Sequence, residues 1–187
     1  MIRLENICKS FGTQQVLANA SLSVAEGERV CLTGVSGCGK STMLAIASGT
    51  LKPDSGSVFI REGIRMAYLY QENRLLPWLN ALENITVTGV SDTDAKNMLD
   101  RVGLLEHCEK KPGQLSGGMK RRLAIARALA YGGDVYYLDE PLQGLDDGTA
   151  GRVLDVMLSE LSGKTAIIVS HSSSEIESLA TRIIRFD

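Results

Sequence analysis

The chain has 187 residues, of which 44% are hydrophobic and 22% charged, and its formal net charge is -2. This length favours one domain with a sizeable core, and the near-neutral charge gives no indication of nucleic-acid binding. No apolar run approaches the roughly 18 residues of a membrane span, and the first residues, MIRLENICKSFG, lack the apolar core of a signal peptide. We therefore expect the chain to stay in the cytoplasm.

Predicted strands and helices alternate towards both ends of the chain, with a helical stretch between them. In chain order the predictions are a strand at 29–33, a helix at 40–48, strands at 58–60 and 66–70 with a tight turn at 61–63, mainly helix over 80–130, a strand at 134–138, a helix at 149–161, a strand at 165–169, a short helix and a last strand at 182–186. Such alternation predicts a single α/β domain with a mostly parallel sheet. The helical stretch predicts a subdomain of about residues 72–130, inserted into a core formed by about 1–71 and 131–187.

The four cysteines are Cys8, Cys31, Cys38 and Cys108, and their spacing is not that of metal ligands. Cys31 lies in an apolar run and Cys38 lies among glycines. In a chain without a secretion signal, we expect reduced thiols that bind no metal.

The segment GVSGCGKS at 34–41 fits the phosphate-loop pattern G-x-x-x-x-G-K-[ST], between a predicted strand and a predicted helix. Glycines let successive backbone N–H groups point at one anion, and the following helix directs its positive end to the same point. In this pattern Lys40 reaches the β- and γ-phosphates of a nucleotide, and the Ser41 hydroxyl binds Mg²⁺. An ordinary glycine turn capped by Ser41 is the alternative. The predicted nucleotide contacts here are Gly34, Ser36, Gly37, Cys38, Gly39, Lys40, Ser41 and Thr42.

Two adjacent acids, Asp139 and Glu140, follow the apolar stretch at 135–138. Ligands of parallel sheets bind beyond the carboxyl ends of the strands, so both acids are expected to face the phosphates. Asp139 is the predicted Mg²⁺ partner, and Glu140 is the predicted base that polarises an attacking water. Repulsion between the two carboxylates raises one pKa, which suits a base. A solvated acidic turn before Pro141 is the alternative.

Gln71 and His171 each follow another predicted strand. The amide oxygen of Gln71 suits Mg²⁺ or the attacking water, and His171 is placed to reach the γ-phosphate. A lone histidine is more often structural, which is the alternative for His171. Four strand ends are therefore expected to converge, at Gly34, at Gln71, at residues 139–140 and at His171.

With these residues the chain resembles the ATPase subunits of ABC transporters over essentially its whole length. The segment LSGGM at 115–119 is similar to the signature motif of that family, which is more specific than the phosphate loop. Gln71 matches the Q-loop, residues 139–140 match the end of the Walker B strand, and His171 matches the switch histidine. The segment GLD at 144–146 matches the end of the D-loop, although PLQ precedes it where smaller residues are commoner.

The resemblance implies a P-loop NTPase fold of the ABC type, with a mostly parallel sheet, an antiparallel β part and an inserted helical subdomain. It implies a Mg²⁺-dependent ATPase that binds ATP and Mg²⁺. Phe11 stands where the family usually has a tyrosine that stacks on adenine, and Asp146 is a further implied nucleotide contact. The implied catalytic residues are Glu140, His171, Lys40 and Gln71, and the implied metal contacts are Ser41, Gln71 and Asp139.

The family also pairs head to tail, with two ATP molecules between the two ATPase subunits. The resemblance therefore implies that Ser116, Gly117 and Gly118 of one subunit close on the γ-phosphate held by the other. The two glycines leave the first N–H groups of a helix bare, and a bare helix start binds anions. A serine-capped helix start with no other role is the alternative.

With one phosphate loop, one signature and no membrane segment, the resemblance implies two partners: a second ATPase subunit, in a homodimer or a heterodimer, and a separate permease. The segment NRLLPW at 73–78 resembles a stretch in ATPases for taurine, sulfonate and nitrate uptake, and it follows the Q-loop, where the family meets its permease. This favours a bacterial importer on the cytoplasmic face of the cell membrane, with a substrate-binding protein as a further partner. The alternative places Leu76 and Trp78 in the core.

Three other functions stay open: the ATPase of an exporter, an ABC ATPase that acts outside transport, and a nucleotide-binding protein without turnover. Members that act in DNA repair, chromosome structure or translation usually carry a long coiled-coil insertion or two cassettes in tandem, and neither is present here. The basic run at 120–122 is interpreted as a solvated helix face, so no nucleic-acid partner is expected. The short chain, which stops at Asp187, leads us to expect no regulatory domain or tail.

Overall fold

The computed structural model describes residues 2–186, so the predicted outer bounds at 1 and 187 lie outside the described part of the chain. Its strands are β1 (Ile2–Phe11), β2 (Gln14–Val24), β3 (Arg29–Gly34), β4 (Ser55–Ile60), β5 (Met66–Leu69), β6 (Val135–Asp139), β7 (Thr165–Val169) and β8 (Arg182–Phe186). Its helices are α1 (Lys40–Ala47), α2 (Ala81–Thr86), α3 (Asp92–Arg101), α4 (Gly117–Tyr131), α5 (Asp147–Glu160) and α6 (Ser173–Leu179), with 3₁₀ turns at Leu105–His107 and Pro112–Gln114. Among these residues no helix is both long and apolar enough to cross a bilayer.

A five-stranded sheet in the order β5-β6-β7-β3-β8 forms the centre of the fold, and every neighbouring pair in it is parallel. β6 and β7 are buried along their whole length, which explains why their sequences are continuous apolar runs rather than alternating ones. The carboxyl ends of parallel strands meet at one edge of the sheet. The residues that follow β3, β5, β6 and β7 therefore lie along the same edge.

A second sheet, in the order β2-β1-β4, is antiparallel. The predicted turn after β4 is present, but it does not close a hairpin between β4 and β5. β4 pairs with β1, where Ile60 lies opposite Ile2, whereas β5 pairs with β6. The turn instead carries the chain from the antiparallel sheet to the parallel one.

Two buried clusters lie on opposite faces of the parallel sheet. Val135 and Tyr137 of β6 belong to the cluster that includes α1 and the antiparallel sheet, whereas Tyr136 and Leu138 belong to the cluster that includes α2 to α6. Because successive strand residues point to opposite faces, each cluster covers one face. The helical stretch shares its cluster with the sheet and α5, and its division from the core as a subdomain of about 72–130 stays a prediction.

All four cysteines are free thiols. Cys31 lies in the middle of β3, and burial raises its pKa to about 11. This thiol therefore stays protonated at neutral pH and packs as a small apolar side chain.

Candidate active site

The phosphate loop joins β3 to α1, and its path requires glycine at both ends. Gly34 and Gly39 have φ values of 138° and 98°. A Cβ atom at Gly34 would lie 2.0 Å from the carbonyl oxygen of Phe186, and one at Gly39 would lie 2.7 Å from Cδ2 of Leu17. The backbone conformation and the close neighbours therefore both exclude a side chain at these two positions.

Lys40 is the first residue of α1 and is buried. Its Nζ donates to the carbonyl oxygens of Gly34 at 3.0 Å and Val35 at 2.8 Å, and it lies 3.6 Å from the sulfur of Cys38. No side chain caps the start of α1. Bare N–H groups at a helix start and a neighbouring ammonium group together form a site for an anion.

Ser41 on α1 and Asp139 at the end of β6 come together at the base of the loop. The Ser41 hydroxyl donates to Oδ1 of Asp139 at 3.2 Å. Such oxygen donors fit Mg²⁺, which proteins commonly hold through one or two carboxylates and the phosphates of a substrate. Residues 2–186 contain no cluster of three or more His, Cys, Asp or Glu side chains that could hold a metal ion. A Mg²⁺ ion at Ser41 and Asp139 would complete its coordination with water and with phosphate oxygens.

Glu140 follows β6 in a left-handed backbone conformation, with φ of 48°. Its N–H donates to the carbonyl of Val169 at 2.9 Å, which continues the pairing of β6 with β7. Its Oε1 lies 3.2 Å from Nε2 of His171. Backbone strain at a residue other than glycine is common at functional sites, and here it accompanies a carboxylate directed at a histidine.

Burial raises the pKa of both acids at the end of β6. At Asp139 the hydrogen bond from Ser41 is the largest effect that opposes the rise. At Glu140 the neighbouring His171 opposes it, and repulsion by Asp139 adds to it. The predicted repulsion between the adjacent carboxylates is thus present, but burial is the larger cause.

These groups border a cleft of about 320 Å³. The predicted site residues in its lining are Phe11, Ser36, Gly37, Gly39, Lys40, Ser41, Thr42, Gln71, Glu140 and His171. Gly34 and Cys38 belong to the same loop, and Asp139 contacts Ser41. The Phe11 side chain is 52% exposed and offers an open aromatic face. Val16 lines the cleft without having been predicted, since an isolated valine in a strand carries no functional signal.

Besides Gly34 and Cys38 of the phosphate loop, four predicted nucleotide contacts are absent from the lining of this cleft: Ser116, Gly117, Gly118 and Asp146. The Ser116 side chain caps α4 by accepting a hydrogen bond from the N–H of Met119 at 3.2 Å. Asp146 caps α5 in the same way, through the N–H of Thr149 at 3.0 Å, and this bond lowers the pKa of Asp146. Within one chain these residues therefore begin helices.

No neighbour among residues 2–186 requires glycine at the start of α4. A Cβ atom at Gly117 would meet no atom within 4 Å, and one at Gly118 would be in ordinary contact with Leu145 at 3.5 Å. Glycine is a poor helix former. Packing among residues 2–186 therefore does not account for the two glycines.

Arg121 is a residue of the site region that sequence reasoning missed. The prediction that the run 120–122 forms a solvated face is wrong for Arg121, which is 4% exposed. Its guanidinium donates to backbone carbonyl groups just after β5, at the last residue of β6 and just after β6. On α4 it lies three, four and seven residues before Ala124, Ile125 and Ala128, which are all buried. Residues at that spacing share one face of a helix, and this spacing is the sequence signal that predicts burial of Arg121.

A family model described as "ABC transporter" matches residues 17–143, which is more than half of the chain. The chain belongs to the ABC transporter family. Two solved structures of one cassette also match the whole chain: the dimeric structure of a post-hydrolysis state of the ATP-binding cassette MJ0796 bound to ADP and Pi, and the dimeric structure of MJ0796, a bacterial ABC transporter cassette. The TM-scores are 0.90 and 0.89, the identities 31% and 32%, and each match covers 94% of the solved chain. The predicted ABC ATPase fold is confirmed.

Curated relatives of this ABC cassette are ATP-binding proteins named for transport or import. The bicarbonate transport ATP-binding protein CmpD of Synechocystis is 39% identical over 98% of this chain. The aliphatic sulfonates import ATP-binding protein SsuB of Burkholderia ambifaria is 39% identical over 98%, and the taurine import ATP-binding protein TauB of Pseudomonas aeruginosa is 39% identical over 92%. The chain spans 73%, 60% and 72% of the lengths of these three relatives. The predicted similarity to sulfonate and taurine ATPases is confirmed.

Proposed function

We propose that this chain is the ATP-binding and ATP-hydrolysing subunit of a bacterial importer, and that it works in a pair of ATPase subunits on a separate permease. The observation that carries the proposal is the single cleft that joins a phosphate loop to the Glu140–His171 pair and to Gln71. The names of the relatives, all import or transport ATP-binding proteins, support the importer.

ATP binding uses the two ends of this cleft. The adenine stacks on the exposed face of Phe11, and the triphosphate lies in the loop at 34–41. There the Lys40 ammonium exchanges its bonds with loop carbonyls for bonds with the β- and γ-phosphates, which carry more charge. The first N–H groups of α1 bind the same phosphates.

Hydrolysis follows from the position of the Glu140 carboxylate. It accepts a proton from a water whose oxygen forms the new bond to the γ-phosphorus, while the bond from that phosphorus to the β–γ bridging oxygen breaks to leave ADP and phosphate. The raised pKa of Glu140 makes it a stronger base than an ordinary glutamate. The imidazole of His171, whose Nε2 lies 3.2 Å from Oε1 of Glu140, donates to the γ-phosphate, and Gln71 orients the water.

Bound Mg²⁺, held through Ser41, Asp139 and Gln71, would neutralise charge on the phosphates. Asp139 is buried, and the hydrogen bond from the Ser41 hydroxyl fixes the orientation of its carboxylate. This arrangement needs no rearrangement of α1 or β6 to present both oxygen atoms on the same side.

The second ATPase subunit supplies the start of its α4. Ser116, Gly117 and Gly118 are outside the cleft of their own chain and carry no side-chain bulk beyond the serine, so they can approach the γ-phosphate bound by a partner. Either a homodimer or a heterodimer satisfies this geometry. Asp146, at the start of α5, is the further contact that we assign to the interface.

Import, rather than export or a role outside transport, is the function that the relatives favour. The basic run 120–122 offers no continuous charged surface to a nucleic acid, because Arg121 is buried against backbone carbonyls. We place the chain on the cytoplasmic face of the cell membrane, with a permease and a substrate-binding protein as partners. Genes for both beside the gene of this chain would support import, and a neighbouring gene that fuses permease and cassette would favour export.

The Lys40→Ala variant tests the nucleotide site. We expect it to lose most ATP affinity and all measurable turnover, because the buried ammonium is the only side-chain charge that the loop 34–41 supplies. The measurement is ATP binding by calorimetry and phosphate release with Mg²⁺. The matched control is Lys52→Ala, which removes an exposed lysine shortly after α1 and should leave both unchanged. ATP binding by Lys40→Ala equal to that of the control would contradict the assignment.

Trp78 tests the permease contact. It is 65% exposed and therefore does not pack in the core, whereas Leu76 is half-buried and its backbone is held by the buried side chain of Asn84. Trp78→Ala should leave the melting temperature and ATPase activity of the isolated chain unchanged, but weaken its co-purification with the permease encoded beside it. Phe59→Ala, which removes another exposed aromatic ring from β4, is the control. Equal recovery of permease with both variants would exclude Trp78 from the contact.

A further inference from the structure

Arg121 is buried between two loops that carry proposed catalytic residues. It lies in the second turn of α4, and its guanidinium enters the gap between the ends of β5 and β6. Nε donates to the carbonyl of Pro141 at 2.8 Å, Nη1 to those of Tyr70 at 2.7 Å and Gln71 at 3.1 Å, and Nη2 to those of Asp139 at 2.8 Å and Glu140 at 2.6 Å. One side chain thus binds five backbone carbonyls, two after β5 and three at the end of β6 and just beyond it.

Arg121 binds the two chain segments just beyond the point at which β5 and β6 stop pairing. The pairing of β5 with β6 ends at Leu69 opposite Leu138, so the residues after them have no ladder bonds to fix their separation. A guanidinium is planar and directs its donors at fixed angles, and a single Arg121 can therefore set the distance between both chains. Lysine would offer a point charge without that geometry.

The backbone of the loops after β5 and β6 is also strained. A strained backbone requires contacts that hold it in place. Glu140 and Arg74, one in each loop, have positive φ values of 48° and 43°. The carbonyl of Glu140 accepts from Arg121, and the carbonyl of Arg74 accepts from Arg127, also on α4, at 2.9 Å. Strain of this kind persists only where the surroundings over-determine the backbone. α4 supplies those contacts.

Three acids near Arg121 make its burial tolerable. Burial lowers the pKa of Arg121, and the negative charges of Asp139, Glu175 and Glu140 oppose that effect. An arginine remains protonated in proteins, so the cation persists between the loops. Its side chain is absent from the lining of the ATP cleft, and it acts on the reaction only through other residues.

We propose that Arg121 is a positioning residue for ATP hydrolysis, which fixes Glu140 relative to Gln71 and ties both to the helix that begins at Gly117. The inference rests on the proposed function, because Glu140 and Gln71 act in it as base and water ligand. Its consequence is mechanical: a shift of α4 moves both loops together, since the same guanidinium binds both.

The test compares Arg121→Met with Arg122→Met. Arg122 is the adjacent arginine on α4 and is partly buried, but it donates to the carbonyls of Val102 and Gly103, away from the cleft. For Arg121→Met we expect kcat to fall about 100-fold, because a misplacement near 1 Å has that effect. KM for ATP should change less than about threefold, since the phosphate loop is untouched. Arg122→Met should keep a kcat close to that of the wild type.

Hydrogen exchange of the intact protein separates positioning from general loss of stability. The amide of Glu140 donates to the carbonyl of Val169, and the amide of Gln143 donates to the carbonyl of Glu140. In Arg121→Met both amides should exchange faster than in the wild type, as should the amides of residues 70–74. In Arg122→Met the faster exchange should be confined to the region of 102–104. A uniform increase over all peptides of Arg121→Met would show that the residue only stabilises the fold and would overturn the inference.

Arg121→Lys provides a variant that keeps charge and volume if the methionine variant does not fold. It can bind some but not all of the five carbonyls, so its kcat should lie between those of the wild type and Arg121→Met. A kcat of Arg121→Lys or Arg121→Met equal to that of Arg122→Met would refute the positioning role. A wild-type chain without ATPase activity would instead refute the proposed function, while the exchange pattern would still decide whether Arg121 holds the two loops.

Discussion

Replacing Glu140 by glutamine should stop ATP turnover and leave ATP binding intact. The carboxylate is expected to act on the attacking water rather than on the phosphates, and general bases contribute about 100-fold to 10,000-fold in rate. Glutamine has the same shape and keeps an oxygen that can accept from His171, which lies 3.2 Å from Oε1. It has no free electron pair of comparable basicity to take up the proton. A fall in kcat of at least about 100-fold is therefore expected.

The same variant should accumulate as an ATP-bound dimer. Without hydrolysis, the γ-phosphate that joins the two subunits persists, and gel filtration with ATP should show a species of twice the mass. The control is Glu175→Gln, which changes another buried acid near the site but keeps the hydrogen bond from Ser170. We expect this control to retain most of its turnover. Near-normal turnover of Glu140→Gln would remove Glu140 from the mechanism.

The polar strand ends were predictable because they combine a residue pattern with one rule of sheet geometry. Gly34 ends β3, whereas Gln71, Glu140 and His171 follow β5, β6 and β7, and the parallel order of these strands brings all four to one edge. The convergence of the strand ends could be predicted without any knowledge of side-chain contacts. The pairing of Glu140 with His171, by contrast, depends on the positive φ at Glu140, which no pattern in the sequence indicates.

The antiparallel sheet was implied by the family resemblance, but its strands β1 and β2 were not located from the residues. A strand with one buried face normally shows alternating polarity. In β1 that alternation breaks after Leu4, because the pairing with β2 shifts register between Leu4 and Ile7 and again before Ser10. Asn6 and Asn19 adopt positive φ values in these irregular stretches. Bulges thus erase the period on which the prediction depends.

Arg121 illustrates a different limit of prediction from the sequence. Charged residues in a run are usually solvated, and the acceptors that bury this one are backbone carbonyls, which every residue carries. No side chain in the sequence therefore identifies its partners. Only the helical spacing to Ala124, Ile125 and Ala128 distinguishes the buried Arg121 from its partly buried neighbours, and that argument requires the buried face of α4 to be known first.

Two inactive variants should restore activity when they are mixed, if the start of α4 completes the site of the partner. Lys40→Ala damages the phosphate loop, and Ser116→Arg places a long side chain where the partner's γ-phosphate is expected. Each homodimer carries one defect at every site and should be inactive. In a mixed dimer both defects meet at one site, and the other site joins an intact loop to an intact α4 start.

The control carries the same two substitutions on one chain and pairs it with the wild type. Dimers of each mixture are isolated through two different affinity tags, which removes the contribution of homodimers. If α4 serves the partner, both sites of this control are damaged, and it should be inactive. If α4 serves its own chain, the wild-type half keeps an intact site and the control should be active, whereas the mixture of single variants should not.

The two arrangements therefore predict opposite outcomes from the same four components. We expect α4 to serve the partner, because Ser116, Gly117 and Gly118 do not line the cleft that holds Lys40, and no neighbour among residues 2–186 requires the two glycines. Phosphate release measures the outcome directly. If hydrolysis needs both sites at once, phosphate release will not report the outcome. The measurement is then ATP-dependent pairing of the single variants, detected by gel filtration. Activity or pairing in the control mixture alone would show that each subunit completes its own site.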